Sequence, residues 1–131
     1  MIRRFLKSLA YALSGIRAAF KAEQSFRLHI LAMVVAIAMG SYLELSMTAW
    51  GFMIFAIGFV LVAELFNTAI ERLGDEAAHG EQSQAIKNAK DISAAAVLLS
   101  ALTALVIGIL FLLIPLVHRV FSCFPTNGML K

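Results

Sequence analysis

From Ala49 to Ala63 the chain carries no charged residue, and the residue that follows is Glu64. The run reads as a helix that begins near Thr48 and is built of side chains a bilayer accepts. Glu64 lies eight residues ahead of Arg72, the first cation at that end, or roughly 12 Å of helix, which places the carboxylate below the headgroups. A carboxylate at the centre of a membrane helix costs about 2.5–3.5 kcal/mol, less near an interface, and such groups face protein or water. Asn67, Glu71 and Asp75 follow at i+3, i+7 and i+11, which puts all four on one stripe. The rest of the chain has to supply what this polar seam faces. Two readings are open here: an interhelical hydrogen-bonded seam that fixes packing, or a chemical site.

The flanking sequence expects an all-α integral membrane protein in one domain, an amphipathic surface helix followed by three transmembrane helices. Of its 131 residues 61% are hydrophobic and 15% charged, against about 45–50% and about 25% in a soluble domain. In residues 1–22, Ile2, Phe5, Leu6, Leu9, Leu13, Ile16 and Phe20 recur at helical spacing with Arg3, Arg4, Lys7, Arg17 and Lys21 between them, the pattern of a helix lying on a membrane. Ser8, Ser14, Gly15 and Arg17 interrupt any secretory signal core, so the segment is expected to be retained. The spans are expected at 28–45, 48–73 and 92–117, with 74–90 as a loop or frayed helix and Pro115 at the fraying end of the third. The link from Glu44 to Thr48 is short enough to force an antiparallel hairpin. Ala32, Ala36 and Gly40, and again Ala96, Ser100, Ala104 and Gly108, step by four and predict close helix contacts.

Cations set the orientation. Of the 11 lysines and arginines, only Arg119 and Lys131 fall at the end that also holds the 44–48 link. The positive-inside rule therefore expects a multi-pass protein of a cytoplasmic membrane, with the N-terminus and the 74–90 segment cytoplasmic and the C-terminus external. The net charge of +3 suits an anionic membrane surface; basic and aromatic residues are not interleaved as in a nucleic-acid reader, and nucleic acid is not an expected partner.

Glu23, Glu64, Glu71, Asp75, Lys90 and Asp91 all approach the same membrane face. Carboxylates are hard ligands for Mg²⁺, a lysine can meet phosphate oxygens, and a buried carboxylate can act as a base. Phosphoryl transfer asks mainly for positioning and charge neutralisation, which a small scaffold can provide. There is no G-x-x-x-x-G-K-[ST] and no G-x-G-x-x-G, so a nucleotide site here is of another design. Lys90 and Asp91 also have a structural reading, as a headgroup anchor and a helix N-terminal charge. His29, His79 and His118 share no ligand spacing, the lone Cys123 has no partner for a disulfide, and the tail from residue 118 onward is given no role.

AELFNTAIE, followed by KDISAAAVLL and preceded by EQSFRLHI, resembles the prokaryotic diacylglycerol kinase family, which includes the undecaprenol kinases. The likeness covers residues 2–115. It implies a homotrimer of three-span subunits that transfers the γ-phosphate of Mg-ATP to the hydroxyl of a membrane lipid, diacylglycerol or undecaprenol. By position, Glu64 matches the general base and Asn67 the polar residue beside it. Glu23 and Glu71 match the carboxylates that hold the metal, Lys90 and Asp91 match nucleotide contacts, and Arg4 and Tyr11 line the nucleotide and lipid entrance. The family's E-Y-H segment is replaced here by Ala77, Ala78, His79, Gly80 and Glu81, so no nucleotide contact is assigned within 76–88. The alternative from a different class is a small oligomeric channel or carrier whose carboxylate seam binds cations. It accounts for Glu64 and Asn67 but not for Glu23, Lys90 and Asp91 on the same face.

Overall fold

Glu23 has extended backbone (φ −106°, ψ 123°), and this one residue separates the surface helix from the first span. The structure, a computed structural model, describes residues 1–78 and 83–122. Helix α1 is Ile2–Ala22 and α2 is Gln24–Tyr42; α3 is Met47–Ala78 and α4 is Gln84–Gly108. A π-helical turn, Ile109–Leu113, then leads into α5, Ile114–Ser122. Among the described residues three helical segments, Gln24–Tyr42, Met47–Ala78 and Gln84–Ser122, are long and apolar enough to cross a membrane.

The centre is α3. Its buried residues are Ala49, Met53, Ala56, Val60, Glu64, Asn67 and Thr68, spaced by three and four along one stripe. The polar seam is thus the continuation of the apolar one, and the same 3.6-residue period that turns Met53 and Val60 inward turns Glu64 inward. Against this stripe α4 runs antiparallel: Asp75 meets Lys90, Asn67 meets Ser93, and the rings of Phe52 and Phe111 stack at 5.7 Å. Ser93 and Ser100 are its buried positions, small enough to let the two backbones approach. Ala96, from the expected stripe, is exposed in the subunit.

Helix α2 returns antiparallel to α3 through a tight link in which Glu44 takes a left-handed φ of 54°. Gly40 lies under the Trp50 ring, where an added Cβ would sit 3.1 Å from both Trp50 and Leu45. Arg119 closes the same end, donating to the Tyr42 carbonyl at 2.9 Å with its guanidinium 5.1 Å above the Tyr42 ring. Between α2, α3, α4 and the π-helical turn remains an apolar cavity of about 440 Å³ in which His29 is the one polar lining residue among the described residues. Outside this core most large apolar side chains are exposed, including Leu31, Phe55, Phe66 and Leu99, as a helix bundle in lipid requires.

Two expected boundaries are corrected. The 74–90 segment, expected as a loop or frayed helix, is helical at both ends: α3 continues to Ala78 and α4 starts at Gln84, where Ser83 caps it by accepting from the Ile86 N–H at 3.3 Å. Gly74, which reads as a helix breaker, is a packing glycine, since a Cβ there would lie 2.9 Å from Lys90 Cε and 3.1 Å from Ile86 Cγ2. Pro115 does not end the third span either, because the helix runs on to Ser122. The Ile114 N–H reaches back to the Ile109 carbonyl, an i→i−5 bond, and this widened turn just ahead of Pro115 accommodates the missing N–H and the ring within the helix.

Candidate functional site

Glu64 is 1% exposed, and both of its oxygens face α2. The Ser25 hydroxyl donates to Oε2 at 3.1 Å, and His29 Nδ1 lies 2.7 Å from Oε1. The second contact is at hydrogen-bonding distance but not in good hydrogen-bond direction, and neither His29 Nδ1 nor Oε1 has another partner among the described residues. Ser25 and His29 are one helical turn apart, so one face of α2 presents both to the carboxylate. Thr68, a turn beyond Glu64, is buried, and its hydroxyl likewise has no partner among the described residues.

From Glu64 the seam passes outward through Asn67. Its Nδ2 donates to Glu71 Oε1 at 3.1 Å, and its Oδ1 accepts from the Ser93 hydroxyl at 2.6 Å. Ser93 also lies 2.8 Å from the Lys90 carbonyl, so α4 grips Asn67 and Asn67 orients Glu71. Beyond it Lys90 pairs with Asp75 over Gly74, with side chains 22% and 67% exposed. So exposed an ion pair contributes at most about 1 kcal/mol, and its consequence is to place the ammonium beside Glu71's end of the helix.

The surface helix is tied to this end. Arg72 donates to the Ala18 carbonyl at 3.3 Å, so α1 meets α3 one residue past Glu71, just before the chain turns at Glu23. With Ser25 on Glu64, the half-buried Glu23 is bracketed by two cross-links to α3 on either side of Glu71. Of the residues expected at the site, Asn67, Glu71, Asp75 and Lys90 are joined through Ser93 across α3 and α4, and Glu64 lies one turn deeper on the same α3 stripe with its contacts on α2. Asp91, Arg4 and Tyr11 are exposed and make no side-chain hydrogen bond among the described residues. His79, the rest of 79–82 and the tail from Cys123 lie outside the described residues.

Among the described residues no three His, Cys, Asp or Glu side chains converge as a metal cluster. That is compatible with Mg²⁺ carried on a polyphosphate, which binds through one or two carboxylates, phosphate oxygens and water. Ser25, His29 and Ser93 were not among the sequence-based site residues. The signal for the first two was available in principle, a serine and a histidine at i and i+4 entering an apolar run. Ser93 had none beyond its place after Lys90 and Asp91.

A three-span membrane bundle with a buried, doubly contacted carboxylate, followed on the same stripe by an amide that holds a second carboxylate and by a lysine, defines a membrane protein built for chemistry at its surface. Prokaryotic diacylglycerol kinase is the family whose sequence pattern matches residues 10–112, and the chain belongs to that family of lipid kinases. It is 36% identical over 111 residues to the diacylglycerol kinase of Synechocystis, a match over 85% of this chain and 63% of that protein. It is 35% identical over 112 residues to the undecaprenol kinase of Bacillus subtilis, covering 86% of this chain and 90% of that one. The diacylglycerol kinase of Pseudomonas aeruginosa is 37% identical over 95 residues, 72% and 76% of the two chains. The channel reading gives way to that of a lipid kinase, of the diacylglycerol or undecaprenol kind, that uses ATP.

Proposed function

We propose that the chain transfers the γ-phosphate of ATP to the hydroxyl of diacylglycerol or undecaprenol, with Glu64 as the general base. The observation that carries this reading is one α3 stripe on which buried Glu64 is followed, a turn further out, by Asn67 holding Glu71 and by the Asp75–Lys90 pair. One end is deep enough to meet a lipid hydroxyl and the other exposed enough to meet a nucleotide. Glu64 takes the hydroxyl proton as the lipid oxygen bonds to the γ-phosphorus and the bond to the bridging oxygen breaks, so that ADP leaves with its electron pair. Asn67 holds Glu71 in place. Glu71 and Glu23 are the residues that would hold Mg²⁺, whose chemistry is neutralisation of the charge on the β- and γ-phosphates.

Lys90 exchanges Asp75 for phosphate oxygens, and Asp91, Arg4 and Tyr11 are the further nucleotide and entrance contacts. We place this end in the cytoplasm by the distribution of cations and the hairpin end outside. The exposed α1 face and small-residue positions such as Ala96 support a homotrimer with active sites shared between neighbouring subunits.

The test is phosphorylation by the purified protein in mixed micelles with Mg²⁺ and γ-labelled ATP, with diacylglycerol and undecaprenol offered side by side. Label in one lipid identifies the substrate. Label in neither, with the protein folded and both lipids accessible, would remove the assignment.

A further inference from the structure

We propose that His29 is the positioning residue for Glu64, a role that rests on the reading of Glu64 as the base. A carboxylate 1% exposed needs donors on its oxygens, since water is not there to provide them. Ser25 supplies one, on Oε2. No lysine or arginine lies in ion-pairing range of Glu64 among the described residues, and the one other group at hydrogen-bonding distance is His29 Nδ1, 2.7 Å from Oε1. Both of those atoms are buried and otherwise unpartnered among the described residues. A hydrogen on Nδ1 is the arrangement that satisfies both at once.

The consequence is geometric. With Ser25 alone the carboxylate is free to rotate about its last side-chain bond. With a second donor on the other oxygen its plane is set, and each oxygen keeps a lone pair for the incoming proton. Both donors come from the same face of α2, one turn apart, so the spacing of that helix from α3 determines where the base points. His29 neither gains nor loses a proton: the lipid hydroxyl proton ends on Glu64, the lipid oxygen on phosphorus, and the released electron pair on ADP. The imperfect direction of the contact in the free protein is of the kind that tightens when substrate closes the site.

The test compares His29→Leu and His29→Asn in the full-length purified protein, with kcat and the KM for ATP measured on diacylglycerol and on undecaprenol. Asparagine can place an amide N–H close to where Nδ1 stands; leucine cannot. The expected result is a fall in kcat of about 10- to 100-fold for His29→Leu, the scale of a misplaced catalytic group. The KM for ATP stays within about twofold, since the nucleotide end of the stripe is untouched. His29→Asn recovers most of the loss, and His29→Leu adds nothing further in a Glu64→Gln background, because the two side chains act as a unit.

Wild-type kcat in His29→Leu, or equal loss in the two variants, overturns the proposal. If His29→Leu does not fold, His29→Gln takes its place, because its longer side chain carries the amide past the Nδ1 position. Asparagine active with glutamine impaired then supports the role, and equal behaviour overturns it. Glu64→Gln run in parallel separates the two readings. An active Glu64→Gln removes the base itself, whereas an inactive Glu64→Gln beside a fully active His29→Leu removes only the role of His29.

Discussion

Gly74 and Lys90 cross so closely that a methyl group on the glycine would lie 2.9 Å from Lys90 Cε, and it is over this gap that the lysine reaches Asp75. The glycine belongs to helix α3, and what it provides is clearance for one side chain. The groove directs an ammonium group to the same end of the bundle as Glu71.

Gly74→Ala should therefore separate stability from nucleotide binding. Alanine is favoured over glycine inside a helix by about 1 kcal/mol, which offsets the cost of displacing Lys90 Cε, the far end of a flexible side chain, and of shifting Ile86 Cγ2 at 3.1 Å by a few tenths of an ångström. The melting temperature should change little. The KM for ATP should rise by up to about fivefold as Lys90 is pushed from its place, with kcat little changed. A titration of ATP at saturating lipid measures both.

Asn67→Ala removes the link between α4 and Glu71. Ser93 keeps the Lys90 carbonyl as a partner, so the buried hydroxyl is not abandoned and the stability loss should be near 1 kcal/mol, the scale of one hydrogen bond. Activity should fall much further than that loss implies, because Glu71 loses the donor on Oε1. Thermal unfolding in detergent beside the kinase assay shows whether the two effects part in this way.

Glu64→Gln and Glu71→Ala should fail differently. Glutamine at 64 can still accept from Ser25 but cannot take a proton, so turnover should drop by about 10²- to 10⁴-fold with nucleotide binding largely kept. Glu71→Ala should weaken Mg-ATP binding instead. Equilibrium binding of a fluorescent ATP analogue, set against turnover, distinguishes them, and a fully active Glu64→Gln would contradict the base assignment.

Gly40→Val tests the far end. A Cβ alone would stand 3.1 Å from the Trp50 ring and from Leu45, and valine adds two methyl groups to it, so the ring or the hairpin must give way. A loss of about 1–3 kcal/mol is expected, as for overpacking elsewhere. Because α2 carries Ser25 and His29, some activity should be lost with it; retention of full stability would show that the hairpin yields more easily than its geometry implies.

Much of the architecture was legible before any coordinates. Uncharged runs of membrane length, the short 44–48 link and the one-sided cations define an amphipathic helix and three spans, because bilayer thickness and the cost of charge act on local sequence. The stripe of Glu64, Asn67, Glu71 and Asp75 was legible for the same reason, since helical periodicity alone aligns them. Tertiary structure decided what depends on the register between helices. Gly74 and Pro115 are breakers by local rule; here one is a clearance for Lys90 and the other is absorbed by a widened turn, and neither neighbour can be read from its own segment. In the same way, nothing in Ser25, His29 or Ser93 announces its partner. Their roles arise from how α2 and α4 are set against α3, a sum of many weak packing contacts distributed over the whole interface rather than written at any one position.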